Sequence, residues 1–568
     1  MNNSVLPAIE NRSQHTSNAC RGADAYSVRS MRKVPTETWE EIFLDACLDE
    51  EGYSLNIAYE QEGKTFRASP AVQLEGQTLV TTNTLALSQV SSHWRAITTG
   101  YRRLWRSISV DLAILPKGAM PLLQLYLYNS ANSSLKLRIR FHRKGSPCDD
   151  SRSGRHEQLV RDRRVVLDLL LQRISPASAS VCEELVIGPF SSDGLSAIPS
   201  PQSPPEFSFS SMRKATIALE GLRPQAIVHF GQISDEGGSL EWLWAPFRDA
   251  PLLRDFSGPL GLIPPNTIPY AQLTTLTLMI HGYHGDHGTM GQGFRQVLQQ
   301  ARGLRSLTFR DNTRGSPAPV ALTAPPNVLE LPSLESFALV LECGELSAPF
   351  RYFFEGVAFP ELHTFRLTLL PTCCTHTDVS MSLSWHPSHY QLQNLASCVS
   401  SAKNISIMFL GFHDLEEFRG SKERETVPTR FGHRFPEGLR WVVDLLQQTP
   451  YVQELAIAIR RTSGRTSLHP YPVLDVISAL TISRSPHLAS SSNNEFVAPD
   501  LRRLQIYDGV VEKLPSSFMD AIVKMVESRH RSQSPLCDFS FLYCAPKSEA
   551  GLHDRVKGGW CLAIPRRP

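Results

Sequence analysis

A six-residue pattern, with apolar side chains at positions one, four and six, recurs along most of the chain and limits its possible folds. The clear copies are LTTLTL (273–278), LRSLTF (304–309), LESFAL (334–339), LHTFRL (362–367), VQELAI (452–457) and LRRLQI (501–506). Weaker copies are CEELVI (182–187), MRKATI (212–217) and AKNISI (402–407). The first four copies begin 31, 30 and 28 residues apart. A period in this range predicts stacked repeats of one supersecondary unit.

Short amphipathic segments before several copies predict the second layer of each repeat. Each segment is predicted to form a helix that leads into a strand whose alternate side chains point inward. The segments are FRDAPLL, FRQVLQQARGL, FEGVAFPEL and WVVDLLQQTPYV. Neither piece can bury its apolar side alone, so stacked neighbours must share a core. For residues 111–530 the expected fold class is therefore α/β: an irregular leucine-rich-repeat solenoid with a curved parallel sheet and helices on its outer side. Residues 531–568 are expected to form a capping segment or tail.

The N-terminal region begins with a polar leader, which a helical pattern follows. Residues 1–32 are rich in Ser and Asn and lack periodicity, which predicts disorder. Residues 34–50 (VPTETWEEIFLDACLDE) predict a helix, with Pro35 at its entrance and Thr38 and Glu41 as a capping box. The apolar stripe of this helix consists of Trp39, Ile42, Phe43, Ala46 and Cys47.

A second helical pattern lies in residues 85–110, LALSQVSSHWRAITTGYRRLWRSISV, which contain two of the eight tryptophans and no carboxylate. One face carries Leu87, Val90, Trp94 and Ile97, and Gly100 is expected to end the helix. Residues 51–82 lose the helical period and contain Gly, Ser and Pro, so they are predicted to form an insertion loop. On spacing alone, both apolar stripes are typical of an ordinary helical core.

The order and identity of these residues resemble the F-box family, in the divergent form common in mushroom-forming fungi. The family pattern is Leu-Pro-x-Glu, then Ile-Phe, then Val-Cys-Arg-x-Trp-Arg, and finally Leu-Trp. Here these elements are Val34-Pro35-Thr36-Glu37, Ile42-Phe43, Val90-Ser91-Ser92-His93-Trp94-Arg95 and Leu104-Trp105. The repeat region is similar to the leucine-rich-like tail that follows the F-box in many of these proteins.

The resemblance implies a small all-α helical module over residues 33–110, whose apolar surface binds a Skp-family linker subunit of a cullin-RING ubiquitin ligase. A unit of about forty structured residues cannot enclose every large side chain that it carries. The residues expected at the partner-binding surface are Val34, Pro35, Trp39, Ile42, Phe43, Leu87, Val90, Trp94, Leu104 and Trp105. For Trp94 and Trp105, packing inside the module and contact with the partner both stay open.

The resemblance further implies a substrate-recognition adaptor rather than an enzyme, with repeats that bind a protein client and with no cofactor. Such an adaptor acts by proximity, because it holds client lysines near the ligase. An alternative is a repeat scaffold whose degenerate F-box engages no ligase. This alternative follows from the departures from the family pattern: Ser91-Ser92 replaces Cys-Arg, and Tyr101-Arg102-Arg103 replaces Thr-Pro.

Composition limits the cellular compartments and the classes of partner that we expect for this protein. The net charge is +2, with 57 Lys and Arg against 55 Asp and Glu, so no global field favours nucleic acid or an anionic membrane. The sequence contains neither a signal-peptide pattern nor a window of eighteen charge-free apolar residues. Its eleven cysteines include no CxxC pair, which suits a reducing compartment. We therefore expect a cytoplasmic or nuclear protein without a nucleic-acid or membrane partner.

Two clusters in the sequence offer side chains that can bind metals. The first is HGYHGDHG, with His281, His284, Asp286 and His287; the second is Cys373, Cys374 and His376, with His386 and His389 further on. Zinc needs three or four converging ligands, and neither spacing enforces that geometry. We therefore expect a polar turn and loop thiols instead. The P-loop, nucleophile-elbow and zinc-helix motifs are absent from the sequence, so no nucleotide or catalytic site is predicted.

Overall fold

The structure, a computed structural model, divides into two compact units. Unit 1 comprises Met1–Tyr59, Phe66–Val110 and Ile114–Leu137, and unit 2 comprises Glu60–Thr65, Asp111–Ala113 and Arg138–Pro568. The residues that the structure describes are 34–49, 52–59, 71–74, 78–112, 115–116, 118–131, 133–141, 165–170, 181–190, 209–219, 247–248, 250–260, 263, 267–281, 287–312, 328–341, 353–369, 389–409, 439–459, 473–481, 497–508, 516–532, 534–543 and 558–563.

Unit 1 combines short helices with a small sheet. Its helices are α1 (Thr36–Cys47), α2 (Asn83–Val90), α3 (Ser92–Gly100) and α4 (Ala119–Asn129), with a 3-10 turn at Arg102–Trp105. Its strands are β1 (Leu55–Tyr59), β2 (Ala71–Leu74), β3 (Thr78–Thr81) and β4 (Ser107–Asp111), and β5 (Ser134–Phe141) follows α4. β3 pairs antiparallel with both β1 and β2, and β1 pairs parallel with β4.

Three strands, β1, β2 and β3, lie within residues 51–82, where the sequence predicted an insertion loop. Leu55 and Ile57 are fully buried, Asn56 between them is half-buried, and Val80 of β3 is 3% exposed. This two-residue alternation is the period of a strand, so the helical period is lost here because the backbone is extended. Unit 1 is therefore mixed α and β rather than all-α.

Unit 2 is built on a long, mostly parallel sheet. Its strands are β6 (Val181–Phe190), β7 (Lys214–Leu219), β8 (Asp255–Pro259), β9 (Thr275–His281), β10 (Ser306–Asn312), β11 (Leu329–Glu330), β12 (Ser336–Leu341), β13 (Val357–Ala358), β14 (Thr364–Leu369), β15 (Asn404–Phe409), β16 (Glu454–Ile459), β17 (Arg503–Asp508), β18 (Asp538–Tyr543) and β19 (Gly558–Ala563). From β6 to β18 successive strands pair in parallel, except that β11 and β13 form a separate ladder. Its helices are α5 (His287–Gln300), α6 (His389–Val399), α7 (Arg440–Gln447), α8 (Val473–Leu480) and α9 (Ser516–Arg531). The predicted α/β class with a parallel sheet is confirmed at this level.

The six-residue pattern sets the register of this sheet. In each clear copy the strand begins at position three, so the side chains at positions four and six point to the same side. Leu276, Leu307 and Phe337, all at position four, align across neighbouring strands and are 0% exposed. Equivalent apolar residues therefore stack into one continuous core.

The residue at position two links each copy to the next through its carbonyl group. The Thr274 oxygen accepts hydrogen bonds from the N–H groups of Arg305 and Ser306, at 2.9 and 3.0 Å. The same pair of bonds recurs at each junction from Arg213 to Arg502. Because these bonds recur between neighbouring copies, the strands stay in register although the connections between them vary in length.

Two copies of the pattern, in β8 and β18, were not recognised in the sequence. LRDFSG (253–258) ends in Gly258, which breaks the pattern at position six. LCDFSF (536–541) fits all three apolar positions but lies beyond residue 530, the predicted end of the repeats. The parallel sheet thus continues into residues 531–568, and β19 pairs antiparallel with its last strand, β18.

Two of the four predicted helices before the repeats do not form. FRQVLQQ lies in α5 and WVVDLLQ in α7, as predicted. The described residues of FRDAPLL form a short 3-10 segment at 247–248 and a turn at 251–252 rather than an α-helix, and FEGVAFPEL includes β13 instead of a helix. Both of these segments contain a proline, and Gly356 has a φ of 66°, which is left-handed backbone. These residues stop a helix from extending.

Candidate functional site

The predicted partner-binding residues begin at the N-terminus of α1. The helix starts at Thr36, directly after Pro35, and has no side-chain cap at this end. The predicted capping box of Thr38 and Glu41 is wrong, because Thr38 already lies inside the first turn. Val34 is half-buried and Pro35 is exposed.

The apolar stripe of α1 is divided between the interior and the surface. Trp39, Phe43 and Cys47 are 9%, 1% and 0% exposed. Ile42 is 48% exposed, and Ala46 is exposed as well. Trp39, Phe43 and Cys47 are spaced by four residues and follow one side of α1. Ile42 and Ala46 each come three residues after one of them and therefore lie at the margin of that side. Part of the predicted stripe therefore faces away from the core of unit 1.

A break at Ser91 divides the second helical pattern, which the sequence predicted as one helix, into α2 and α3. The Ser91 backbone is extended, and its Oγ accepts a hydrogen bond from the N–H of Trp94 at 3.1 Å. Ser91 thus caps α3. Arg95 Nε donates to the Ser88 carbonyl at 3.1 Å and joins α3 to α2.

The break determines which apolar residues of the second pattern stay at the surface. Val90, the last residue of α2, is 61% exposed, and Leu87 is half-buried. Ile97 of α3 is buried, and α3 ends at Gly100 as predicted. The predicted single face is therefore split between two helices.

Three aromatic rings hold α1 against α3. The ring centroid of Trp94 lies 5.6 Å from that of Trp39 and 4.8 Å from that of Phe43. The rings of Trp39 and Phe43 are 5.6 Å apart. Tilted ring contacts of this kind stabilise a fold by about 0.5–1.5 kcal/mol each beyond their burial. Trp94 is only half-buried, so part of its ring stays open to a partner.

Leu104 and Trp105 lie in the core of unit 1, at 0% and 1% exposure. Trp105 Nε1 donates to the Thr98 carbonyl at 2.7 Å, and its ring is 4.8 Å from that of Tyr126 in α4. Thr84 Oγ1 donates to the Leu104 carbonyl at 2.9 Å. Neither Leu104 nor Trp105 can contact a partner in this conformation. Of the two roles left open for Trp105, the structure shows packing inside unit 1.

The charges of unit 1 are separated along the chain. The helix α1 contains Glu37, Glu40, Glu41 and Asp45 and no Lys or Arg. Residues 83–106 contain four arginines and no carboxylate. The surface around Ile42 is therefore negatively charged, whereas the region that follows α3 is positively charged.

Two buried ionisable side chains of unit 1, Cys47 and Tyr126, have raised pKa values. Burial raises the pKa of the Cys47 thiol to about 11, although a hydrogen bond with Thr84 opposes this shift. Burial also raises the pKa of the Tyr126 hydroxyl. Both groups therefore stay protonated.

Metal binding finds no support in the part of the chain that the structure describes. No group of three or more His, Cys, Asp or Glu residues there could hold a metal ion. The side chains of the His281–His287 cluster and of the Cys373–His389 cluster lie outside the described residues. Those two clusters therefore stay sequence-level hypotheses.

A second exposed apolar surface, on α4, was missed by the sequence analysis. Leu125 is 38% exposed and Tyr128 is 74% exposed, whereas Leu123, Tyr126 and Leu127 are buried. The helix contains no charged residue, so its outer side, which also exposes Gln124, is uncharged. The uncharged run MPLLQLYLYN was the signal that could have indicated this surface.

Comparison with known proteins found no match, so the inference of function starts from the geometry described above. No protein-family model matches the chain, and no curated protein sequence matches it. Among the helices that the structure describes, none combines the length and apolarity needed to cross a membrane. The exposed side chains of unit 1 and the outward face of the sheet in unit 2 are the features that bear on function.

Proposed function

We propose that unit 1 is an F-box-like module that binds a Skp-family linker subunit and that the repeats of unit 2 bind a protein client. The chain then acts as a substrate-recognition adaptor of a cullin-RING ubiquitin ligase. The observation that carries this proposal is the exposure of Ile42 and Val90, at 48% and 61%, on helices that resemble the F-box pattern. Large aliphatic side chains exposed beside a packed aromatic cluster are typical of protein-docking surfaces.

The aromatic cluster gives this surface a rigid base. Ile42 precedes Phe43, whose ring lies 4.8 Å from the ring of Trp94. A partner that buries the exposed part of an aliphatic side chain gains about 1 kcal/mol from each such residue. Glu41 and Asp45 are exposed on the same helix as Ile42. The complementary surface of the linker is therefore expected to be neutral or basic.

For the client, unit 2 offers the outward side of its parallel sheet. Thr308, Ala338, Arg366 and Ser406 align across four neighbouring strands, and none of them is buried. Most of these side chains are small, so a bound chain can approach the sheet closely. The exposed Arg366 adds a cation that favours an acidic group of the client at this position. Exposed strand faces of this kind carry the specificity of repeat proteins.

Co-purification with the linker subunit tests the proposal. The full-length chain is expected to retain the linker, and Ile42→Glu or Val90→Glu is expected to weaken binding at least about tenfold, because a charge then replaces a buried contact. The matched control is Val523→Glu, on α9 of unit 2, where the native side chain is 50% exposed. It is expected to retain the linker. Phe43 is unsuitable for this test, because it is 1% exposed and a charge there would unfold the helix pair.

The result also decides between the adaptor and the repeat scaffold without a ligase. A wild-type chain that is folded by circular dichroism but does not retain the linker supports the scaffold. Full retention by both Ile42→Glu and Val90→Glu contradicts the assigned docking surface.

A further inference from the structure

We propose that a second face of unit 1 binds an acidic, amphipathic helical segment of a partner protein. This arginine–tyrosine face consists of Arg102, Arg103, Arg106, Leu125 and Tyr128. It shares no residue with the surface around Ile42 and Val90, so it does not depend on the proposed ligase function.

The arginines are held at the C-terminal end of α4. Arg102 Nη1 donates to the Ala131 carbonyl at 2.9 Å, and Arg106 Nη1 donates to Ser134 Oγ at 2.9 Å. Arg102 and Arg103 are exposed, and Arg106 is half-buried. Each of the two bonds uses one N–H group of a guanidinium that has several, so the remaining donors are available to a ligand.

The positive charge of this face is not balanced by nearby carboxylates in the sequence. Residues 83–137 contain six Lys or Arg and a single carboxylate, Asp111, which is 1% exposed. Among the described residues, none of the three arginines forms an ion pair. Arg103 instead donates to the Tyr101 hydroxyl at 3.0 Å. Charge complementarity therefore favours an acidic ligand.

The apolar part of the face adjoins the arginines. Leu125 and Tyr128 lie three residues apart on one side of α4 and are 38% and 74% exposed. The Ala131 N–H donates to the Tyr128 carbonyl at 3.2 Å, and the Ala131 carbonyl accepts from Arg102. The Arg102 guanidinium therefore contacts the chain three residues, about one helical turn, beyond Tyr128. An apolar strip with cations at one end fits a helix that presents an apolar stripe flanked by Glu or Asp.

A protein segment fits this face better than a nucleic acid does. Binding of single-stranded nucleic acid uses a row of cations together with several rings on which bases stack. Here the exposed side of α4 offers one aromatic ring, Tyr128, next to the aliphatic Leu125. An aliphatic side chain favours an apolar partner and contributes little to binding a phosphate backbone.

Fluorescence anisotropy with the full-length chain tests the proposal. The probe is a fluorescein-labelled peptide with Leu at every third or fourth position and Glu at most others. Its saturable binding is expected to weaken as the salt concentration rises. The double variant Arg102→Glu, Arg103→Glu is expected to weaken binding at least about tenfold, and Tyr128→Ser about tenfold. The matched controls Arg302→Glu and Tyr451→Ser change exposed residues of unit 2 and are expected to leave binding unchanged.

Absence of peptide binding, or an equal loss in the controls, overturns the proposal. Binding of a single-stranded RNA that is as tight as peptide binding, and is unaffected by Tyr128→Ser, also overturns it in favour of a non-specific polyanion surface. Thermal unfolding curves that match the wild type establish that the exposed-site variants are folded. Ile42→Glu is expected to bind the peptide normally, so failure of this proposal and failure of linker binding are distinguished.

Discussion

Units 1 and 2 place their large apolar side chains differently. In unit 2 the repeated apolar positions are enclosed, as Leu276, Leu307 and Phe337 are at 0% exposure. Among the described residues of unit 1, which is much the smaller, four large apolar side chains are exposed: Ile42, Val90, Leu125 and Tyr128. The large apolar side chains that unit 2 exposes, such as Tyr451 and Val523, lie outside its repeated positions. A stacked repeat is covered by a neighbour on each side, whereas a few short helices cannot enclose every large side chain that they carry. The proposed docking by unit 1 therefore depends on exposed apolar side chains, whereas the proposed client binding by unit 2 depends on small outward ones.

The largest effect is expected from Phe309→Ala, which tests whether the repeats share one core. Phe309 is fully buried, and its ring lies 5.2 Å from that of Phe294 and 5.1 Å from those of Phe353 and Phe354. Its removal is expected to lower the free energy of unfolding of unit 2 by about 3–5 kcal/mol, because a large cavity replaces these contacts.

Peptide-resolved hydrogen exchange measures this loss. Protection is expected to fall in β9, β10 and β12 together and to stay unchanged in α1. The control Thr308→Ala, an outward position, is expected to change the free energy of unfolding by less than about 0.5 kcal/mol. A loss of protection confined to β10 would contradict a shared core.

A smaller and more local effect is expected from Trp105→Phe in unit 1. The variant loses the hydrogen bond to the Thr98 carbonyl and leaves that buried acceptor without its donor. We expect unit 1 to be destabilised by about 2 kcal/mol. Alkylation of Cys47 measures the change, because this buried thiol, with its pKa raised to about 11, reacts only when unit 1 opens.

The control thiol is Cys398, which is buried in unit 2 and has its pKa raised to about 12. In Trp105→Phe, alkylation of Cys47 is expected to become faster while that of Cys398 stays unchanged. Equal acceleration at both thiols would mean that the two units open together, which removes the contrast between them.

The smallest effect is expected from Arg503→Ala, which removes surface ion pairs between the repeats. Arg503 Nη1 lies 2.7 Å from Glu454 Oε1, and its Nε lies 3.3 Å from Asp538 Oδ2, so it links β17 to both neighbouring strands. All three side chains are substantially exposed, so we expect a loss below about 1 kcal/mol that shrinks at high salt. Chemical denaturation at two ionic strengths measures it. A loss above about 2 kcal/mol at both would show that these charges stabilise the stack more than exposed ion pairs do.

The strands of unit 2 could be predicted because each one is marked by a local pattern. Even LCDFSF, which was not recognised, carries Leu536, Phe539 and Phe541 at the three expected positions. The helices before the strands were harder to predict, because a short amphipathic segment such as FEGVAFPEL also fits a turn followed by a short strand. A pattern that recurs along the chain can be identified from its many copies. A single short segment can fit either a helix or a turn and strand.

The sequence by itself determined which residues of unit 1 are apolar enough to pack or to dock. Only the tertiary structure decided between these two roles. Trp105 is enclosed because Tyr126, twenty-one residues later, packs against its ring, and Val90 is exposed because the chain breaks at Ser91. A local pattern specifies which side of an element is apolar, but burial depends on how much of that side distant segments cover. The pattern of one short stretch does not contain that information.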